Sequence, residues 1–373
     1  MKSASDMTVA FRADASLDIG IGHVMRCLTL AEALHARGAT CHFICREHPG
    51  HLLDNIRKRG FTAYALPLCE PDELSQDATE TSQPAHAHWL GCDWQTDARR
   101  TGEILSTLKP DWMVVDHYAL DTRWEETLKV HYKKLLVIDD LADRSHACDL
   151  LLDQNLGRAA VDYANLVPEH CTVLTGPRFA LLRPEFAALR EYSLQRRESP
   201  ALKHLLITMG GVDQPNATGQ VLEALKTCPL PADCKITVVM GSKAPWLGQV
   251  REIAATMPWP TEVRHDISDM AQVMADSDLA IGAAGSTSWE RCSLGLPALI
   301  VVLAENQWAG ARALLTAGAA LLVGEASAIR QQLMPALAPL LSDELLVNMS
   351  RCASNITNGQ GSTRVVERME CPQ

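Results

Sequence analysis

The sequence lacks a long apolar run, a paired-cysteine motif and any excess of positive charge. No apolar run approaches the ~18–20 residues that span a bilayer, and the N-terminal MKSASDMTVAFRAD has no apolar signal-peptide core. The 12 cysteines include no CxxC pair, which predicts reduced thiols in a reducing compartment. A formal net charge of -11 argues against a nucleic-acid or anionic-membrane surface. We therefore expect a cytoplasmic protein that binds neither nucleic acid nor membrane.

What the sequence does contain is a regular alternation of short apolar runs with helical patterns over 373 residues. Runs such as MTVAFRAD, ATCHFICRE and WMVVD alternate with amphipathic helices, and the pattern starts again at HLLITMGG. Continuous apolar strands between helices indicate parallel sheets that are covered on both faces. The sequence predicts an α/β fold of two Rossmann-like domains whose sheets face each other across a cleft, with functional groups at the carboxyl ends of the strands.

Domain boundaries are expected where this alternation breaks. Residues 70–100 are acidic and rich in small polar residues, which predicts a long loop with a helix near its end. The predicted organisation is an N-terminal domain at 1–185, a linker at 186–200, a C-terminal domain at 201–345, and a helical segment at 346–373 that can pack back on the N-terminal domain.

The first candidate site is the loop RADASLDIGIGHV, which follows the first predicted strand. Gly20 and Gly22 allow backbone N–H groups to approach a ligand, and the helix start behind them favours negative charge. A glycine pair after a strand is also typical of a plain tight turn. Met25 stands where a dinucleotide-binding G-x-G-x-x-G loop has its third glycine, so the pattern does not predict that fingerprint.

His23 opens the helix after this loop and is the candidate general base. An unperturbed histidine has a pKa of ~6.5, which suits proton transfer at neutral pH; the alternative is a structural histidine that donates to a backbone carbonyl. Asp116, in VVDHY with Tyr118, ends another predicted strand and can support His23, bind substrate or cap the next helix. Three preceding polar residues can orient the imidazole or balance its charge: Arg12, Asp14 and Ser16.

Strand ends in the second half carry glycines and hydroxyls that suit a diphosphate. The stretches TMGGVD and GAAGSTSWE each lead from a strand into a helix, but neither has the GKS/T of a Walker loop. Glu290 follows in the second stretch, where it can accept two hydrogen bonds from a ribose diol or merely complement the helix dipole. The candidate diphosphate-binding residues are Gly210, Gly211, Gly285, Ser286 and Thr287.

A further strand end, VVLAENQ, offers Asn306 and Gln307 to sugar hydroxyls, although an ordinary polar loop would look the same. No metal site is predicted. The histidine pairs in HPGH and HAH lack a matching set of acids or cysteines, and the D-x-D of Asp276 and Asp278 precedes its strand at the opposite edge of the sheet.

Five blocks of the sequence, taken in order, resemble the UDP-sugar hydrolases of pseudaminic acid biosynthesis. They are FRADASLDIGIGHVMRCLTLA, VVDHYALDTRWE, VIDDLADRSHACDLLLDQN, LTGPRFALLRPEF and IGAAGSTSWERCSLGLPALIVVLAENQ, and the similarity runs from about residue 8 to 310. The second half is also similar to the peptidoglycan N-acetylglucosaminyltransferases, which implies the GT-B architecture. The loop at 70–85 is longer than this family's pattern.

The resemblance implies an activity and a set of roles. A member of that family releases 2,4-diacetamido-2,4,6-trideoxy-β-L-altrose from its UDP conjugate. Attack of water on the face opposite to UDP predicts inversion at the anomeric carbon, and this scheme needs no metal or other cofactor. The resemblance implies that His23 is the general base, that Ser286 and Thr287 touch the diphosphate, and that Glu290 binds the ribose. It further implies that Asn306 faces the sugar and that the backbone of Ile267 binds uracil beside VVMGS and HDIS.

Three alternative functions stay open from the residues alone. An inverting glycosyltransferase would use the same nucleotide site, with His23 deprotonating a sugar hydroxyl in place of water. A non-catalytic nucleotide-sugar sensor would need the diphosphate site but no base, and an NAD-dependent dehydrogenase would need the missing third glycine. The resemblance implies that the product passes to the next enzyme of a sialic-acid-like pathway, for flagellin glycosylation or a surface polysaccharide.

Overall fold

The chain was analysed as a computed structural model, and its backbone contacts divide it into two compact units. The structure describes residues 7–69, 83–199, 201–241 and 244–371. The first unit comprises Met1–Leu181 and Ser362–Gln373, and the second comprises Leu182–Gly361.

The first unit is built on a parallel sheet that has seven strands within the described residues. The strands are β1 (Thr8–Ala13), β2 (Thr40–Arg46), β3 (Thr62–Leu66), β4 (Trp112–Asp116), β5 (Lys134–Ile138), β6 (Leu150–Asp153) and β7 (Thr172–Thr175). Their order is β3-β2-β1-β4-β5-β6-β7, so the order reverses next to β1. Val9 and Phe11 enter one core and Ala10 the other, because side chains alternate between the faces of a strand.

Helices cover this first sheet. They are α1 (Gly22–His35), α2 (Leu53–Lys58), α3 (Trp94–Leu108) and α4 (Thr122–Leu128). A helix begins at Trp94 because the side chain of Asp93 accepts a hydrogen bond from the backbone N–H of Thr96, at 2.7 Å. This agrees with the helix expected near the end of the 70–100 segment, whose residues 70–82 lie outside the described part of the chain.

The second unit has a parallel sheet of six strands in its described residues. They are β8 (His204–Thr208), β9 (Lys235–Met240), β10 (Thr261–His265), β11 (Leu279–Ala283), β12 (Ala298–Val302) and β13 (Ala320–Glu325), in the order β10-β9-β8-β11-β12-β13. Its helices are α5 (Pro184–Ala188), α6 (Arg190–Arg196), α7 (Ala217–Leu225), α8 (Leu247–Ala254), α9 (Met270–Asp276), α10 (Thr287–Ser293), α11 (Trp308–Thr316), α12 (Ile329–Leu337) and α13 (Asp343–Ile356).

The last helix, α14 (Gly361–Glu370), returns to the first unit. Its Val365, Val366 and Met369 are buried in the same core as Phe11 of β1. The residues of the expected linker, 186–200, lie largely in α5 and α6 of the second unit. There Arg197 is buried and donates to the carbonyl oxygens of Met274 and Ser277, which ties this segment to α9.

The predicted α/β class, with two parallel sheets, is confirmed. Within the described residues, no helix is both long enough and apolar enough to cross a membrane.

Candidate active site

The loop between β1 and α1 folds back on itself and places His23 in the first turn of α1. Ser16 Oγ accepts the backbone N–H of Asp18 at 3.1 Å and that of Ile19 at 2.9 Å. Ser16 and Gly20 also pair through their backbones, and Gly20 takes a φ of 80°, which favours glycine. Ser16 therefore shapes the loop, and the glycines permit the turn that sets the start of α1.

His23 is held by Asp116, the last residue of β4. The His23 Nδ1 atom lies 2.6 Å from Asp116 Oδ1, and the Asp116 side chain is fully buried. Burial alone would raise the pKa of Asp116, but the charges of Arg26 and His23 outweigh it and hold that pKa well below its usual range. An ionised carboxylate only accepts hydrogen bonds, so Nδ1 carries the hydrogen and Nε2 is the nitrogen that can take a proton.

Arg26 completes this arrangement, one turn after His23 on α1. Its Nε donates to Asp116 Oδ2 at 2.5 Å and its Nη2 donates to Asp116 Oδ1 at 2.6 Å, so the interaction is bidentate. Its Nη1 donates to Asp140 Oδ2 at 2.6 Å, and the Tyr118 hydroxyl donates to the same oxygen at 2.7 Å. Arg26 was not predicted as a site residue. The i, i+3 spacing from His23 to Arg26 was the available signal.

Trp89 and Tyr118 contact the His23 ring, and His86 contacts both of them, so we call the four residues the ring cluster: His23, His86, Trp89 and Tyr118. Tyr118 meets the His23 ring edge-on, with centroids 4.7 Å apart and planes at 89°. Trp89 stacks on Tyr118 at 5.7 Å, and His86 contacts Trp89 at 4.4 Å. Trp89 lies in a 3-10 helix at Ala87–Leu90 that His86 precedes, and neither residue was predicted as a site residue.

The structure corrects the prediction that Arg12 and Asp14 orient His23 or bind substrate. Both side chains are fully buried, and Arg12 donates to Asp14 Oδ1 at 2.6 Å and to Asp97 Oδ2 at 2.7 Å. Arg46 donates to the same Asp97 oxygen at 2.6 Å. Arg12 and Asp14 thus belong to a buried ion network with Asp97 of α3. Asp97 supplies negative charge that a buried arginine requires.

In the second unit, the predicted nucleotide-site residues all follow carboxyl ends of parallel strands, and these ends share one edge of the sheet. Gly210 and Gly211 follow β8, Gly285 follows β11 and Ile267 follows β10. After β8, two side chains cap the start of α7. Asp213 accepts the backbone N–H groups of Ala217 and Thr218 at 2.8 and 2.9 Å, and Asn216 accepts that of Gly219 at 3.1 Å. Ser242, at the end of VVMGS, lies outside the described residues.

Glu290 lies in the first turn of α10, which Ser286 and Thr287 begin. Its side chain is half-buried, and burial raises the pKa of Glu290 to about 7, against the opposing charges of Arg183 and Arg291. Such a carboxyl group is poised to gain or lose its proton when a hydrogen-bonding ligand arrives.

After β12, a 3-10 turn at Glu305–Gln307 carries the two amides predicted to face the sugar. Asn306 is exposed. Gln307 Oε1 accepts the backbone N–H of Leu303 at 3.0 Å, so this oxygen closes its own loop, and the binding of sugar hydroxyls by Gln307 stays a prediction. A cavity of about 240 Å³ adjoins the turn and is lined in part by Glu305 and Trp308.

Among the described residues, no three histidine, cysteine or acidic side chains converge to hold a metal ion. Asp276 ends α9 and Asp278 precedes β11, where its carboxylate accepts the backbone N–H groups of Lys203 and His204. The D-x-D pair therefore belongs to a helix-to-strand turn at the amino end of the strand.

Comparisons with known proteins agree with this architecture. Residues 204–368 match the model of the glycosyltransferase family 28 C-terminal domain. The chain is 25% identical to an uncharacterized protein of Methanocaldococcus jannaschii, over 81% of this chain and 56% of that protein. The match thus spans little more than half the length of that relative. The chain is 27% identical to the UDP-2,4-diacetamido-2,4,6-trideoxy-beta-L-altropyranose hydrolase of Campylobacter jejuni, over 75% of this chain and 86% of the relative.

Among solved structures, Acinetobacter baumannii MurG superposes with a TM-score of 0.67 at 16% identity, over 97% of this chain and 99% of that one. The likeness at this identity concerns the fold, and it confirms the predicted GT-B architecture. The chain is therefore a GT-B protein whose second unit is glycosyltransferase-like.

Proposed function

We propose that this protein hydrolyses a UDP-activated sugar to UDP and the free sugar, with His23 as the general base. The observation that carries the proposal is the contact of 2.6 Å between His23 Nδ1 and the buried Asp116, which leaves Nε2 as the proton acceptor. Arg26 fixes the carboxylate from its other side. A base that is oriented in this way suits the activation of water or of another hydroxyl.

The proposed reaction balances without a further reactant. His23 Nε2 takes a proton from water, whose oxygen bonds to the anomeric carbon, while the bond from that carbon to the β-phosphate oxygen breaks. UDP leaves with the electron pair, and attack opposite to it inverts the anomeric carbon. Asp116 stabilises the imidazolium that forms, as an ionised partner of Nδ1–H.

The second unit is proposed to bind the UDP. The match of residues 204–368 to the glycosyltransferase family 28 C-terminal domain supports this assignment. Ser286 and Thr287 would contact the diphosphate, and Glu290 the ribose diol. The backbone of Ile267 would contact uracil, and Asn306 the sugar. Gly210, Gly211 and Gly285 would let the backbone approach the diphosphate.

The proposed substrate is UDP-2,4-diacetamido-2,4,6-trideoxy-β-L-altropyranose, and the proposed setting is cytoplasmic pseudaminic acid biosynthesis. The name of the Campylobacter jejuni relative and the five resembling blocks support this choice. The next enzyme of that pathway would consume the free sugar.

The test is proton NMR of the protein with this UDP-sugar in EDTA and without an acceptor. We expect release of UDP and free sugar, with the inverted anomer formed first. Binding of UDP without turnover would contradict the hydrolase. Any turnover of a UDP-sugar would exclude the non-catalytic sensor.

A second candidate is an inverting glycosyltransferase that uses the same donor. Two observations favour it: the family match of the second unit, and the exposed Leu17 and Ile21 in the loop before His23, which are 54% and 43% exposed. An acceptor with an apolar portion would cover such side chains. UDP release that depends on an added lipid-linked acceptor, and is absent without it, would support the transferase.

A further inference from the structure

Trp89 is an aromatic side chain next to the candidate base that the proposed mechanism leaves unused. Its ring centroid lies 6.4 Å from that of His23, with the planes at 70°. It also stacks on Tyr118, with the planes only 23° apart. Because His23 would act at the anomeric carbon, a ring this close to it lies beside the sugar.

The fold anchors the short helix of Trp89 at its C-terminal end. Leu90, the next residue, is 2% exposed and buried in the core that includes Trp124. Gly91 then ends the 3-10 helix with a φ of 70°, and a Cβ at this position would lie 2.7 Å from the His48 ring. The burial of Leu90 and the turn at Gly91, which favours glycine, therefore determine where the helix places Trp89.

Packing does not account for Trp89. Within the described chain, neither of the two apolar cores of the first unit includes it, whereas Trp94 and Leu90 both pack on one of them. Trp89 is half-buried, and its ring contacts within the site are with the ring cluster and with His88. An indole is the largest apolar side chain, and one that is placed outside the core beside a catalytic base offers an apolar face to a ligand.

We propose that Trp89 contacts the sugar of the donor and selects rings that carry methyl groups, as deoxy or N-acetyl substituents, over fully hydroxylated rings. This inference rests on the proposed function and names the substrate class of that site. Methyl groups lose unfavourable hydration when they pack on an indole face, whereas hydroxyl groups lose hydrogen bonds to water there. The His86 ring contacts Trp89 at 4.4 Å and supports the position of the indole.

The test uses two non-hydrolysable donors in which a phosphonate carbon replaces the glycosidic oxygen. One carries a 6-deoxy ring with two acetamido groups, and the other carries glucose. Their Kd values are measured by calorimetry for the wild type, Trp89→Ala, Trp89→Phe and the control Trp94→Phe. Trp94 is a half-buried tryptophan of α3 that packs on the core, so its variant reports on general effects of losing an indole.

We expect the wild type and Trp94→Phe to bind the methyl-bearing donor roughly tenfold more tightly than the glucose donor, the order expected for burying two or three methyl groups. Trp89→Ala should bring the two Kd values to within about twofold, and Trp89→Phe should keep part of the preference. The Kd for UDP itself should stay the same in all four proteins.

Three outcomes overturn the inference: no preference in the wild type, a preference that survives Trp89→Ala, or an equal loss of affinity for both donors, which would mean that Trp89 only positions Tyr118. Absence of hydrolysis by the wild type in the NMR assay concerns the proposed function instead, because the ratio of the two Kd values does not depend on turnover.

Discussion

At the scale of single residues, the candidate base gives the most direct prediction. His23→Asn removes the nitrogen that would accept the proton of water, so turnover should fall by about 10²–10⁴-fold. The Kd for UDP should change by no more than a few-fold, since the proposed UDP contacts are in the second unit. His35→Asn is the matched control, because His35 ends the same helix and is exposed. Full activity of His23→Asn would contradict the role of His23.

The raised pKa of Glu290 gives a second prediction, about pH. With a pKa of about 7, the carboxyl group is partly protonated near neutrality, and only its ionised form accepts hydrogen bonds from both ribose hydroxyls. Affinity for uridine should therefore rise up to about tenfold between about pH 6 and pH 8, as the ionised fraction grows. Uridine is the probe because it has no phosphate that titrates in this range.

Two variants check this assignment. Glu290→Gln should weaken uridine binding and remove its pH dependence, whereas Glu252→Gln, an exposed acid on α8, should change neither. An affinity that is flat or falls with rising pH in the wild type would contradict the ribose contact.

The residues also show how far the sequence alone reaches into the site. His23 and Asp116 were within reach, because Asp116 ends β4 and His23 opens the helix that follows β1, at the carboxyl edge of a parallel sheet. The burial of Arg12 with Asp14 was not foreseen, because Asp97, the second partner of Arg12, is 85 residues from it along the chain. Trp89 was missed because a loop aromatic carries no periodic signal that separates it from an ordinary surface residue.

At the scale of elements, buried strands that read as continuous apolar runs were predictable, whereas β7 and β13 were not. β4 is buried along its whole length and reads as the continuous run WMVVD. β7 has only four residues, TVLT, at the edge of the first sheet and within a stretch that contains glycine and proline. β13 lies in an alanine-rich segment whose apolar residues fit both a helical and a strand period.

Close packing between elements yields a third prediction, at Gly282 of β11. A Cβ at this position would lie 2.7 Å from the Thr208 carbonyl oxygen of β8 and 2.5 Å from Arg291 Nη1. The Arg291 side chain is buried and donates to the Ala283 carbonyl oxygen, so it cannot withdraw freely. Gly282→Ala should therefore lower the free energy of unfolding by about 1–3 kcal/mol.

Gly310, in α11, is the matched control. A Cβ there meets no atom within 4 Å, and alanine favours the helix, so Gly310→Ala should raise the free energy of unfolding by about 0.5–1 kcal/mol. Urea unfolding curves of both variants measure the two effects. Equal stability of the Gly282→Ala and Gly310→Ala proteins would contradict the proposed clash.

At the scale of the whole molecule, the two units differ in their buried carboxylates. In the first unit, burial opposes ionisation of Asp14, Asp97, Asp116 and Asp139, but paired arginines hold the pKa of each below its usual value. The pKa of Asp153 is shifted in the opposite direction, because burial raises it to about 6. In the second unit, the one described carboxylate with a lowered pKa is the exposed Asp269, beside Arg264.

This difference predicts that the first unit opens before the second as the pH falls. A carboxylate whose folded pKa is depressed stabilises the fold above its unfolded pKa of ~3.9 and loses that contribution as the pH falls towards the lower, folded value. Asp153 contributes more stability as the pH falls below about 6, because its pKa is raised. This single group opposes the four carboxylates whose pKa values are lowered. Hydrogen exchange read by mass spectrometry, between about pH 5 and pH 2.5, should therefore show loss of amide protection in β1, β4 and β5 while β8, β11 and β12 stay protected. Loss of protection first in the second unit, or in both together, would mean that the buried ion pairs of the first unit do not determine its response to acid.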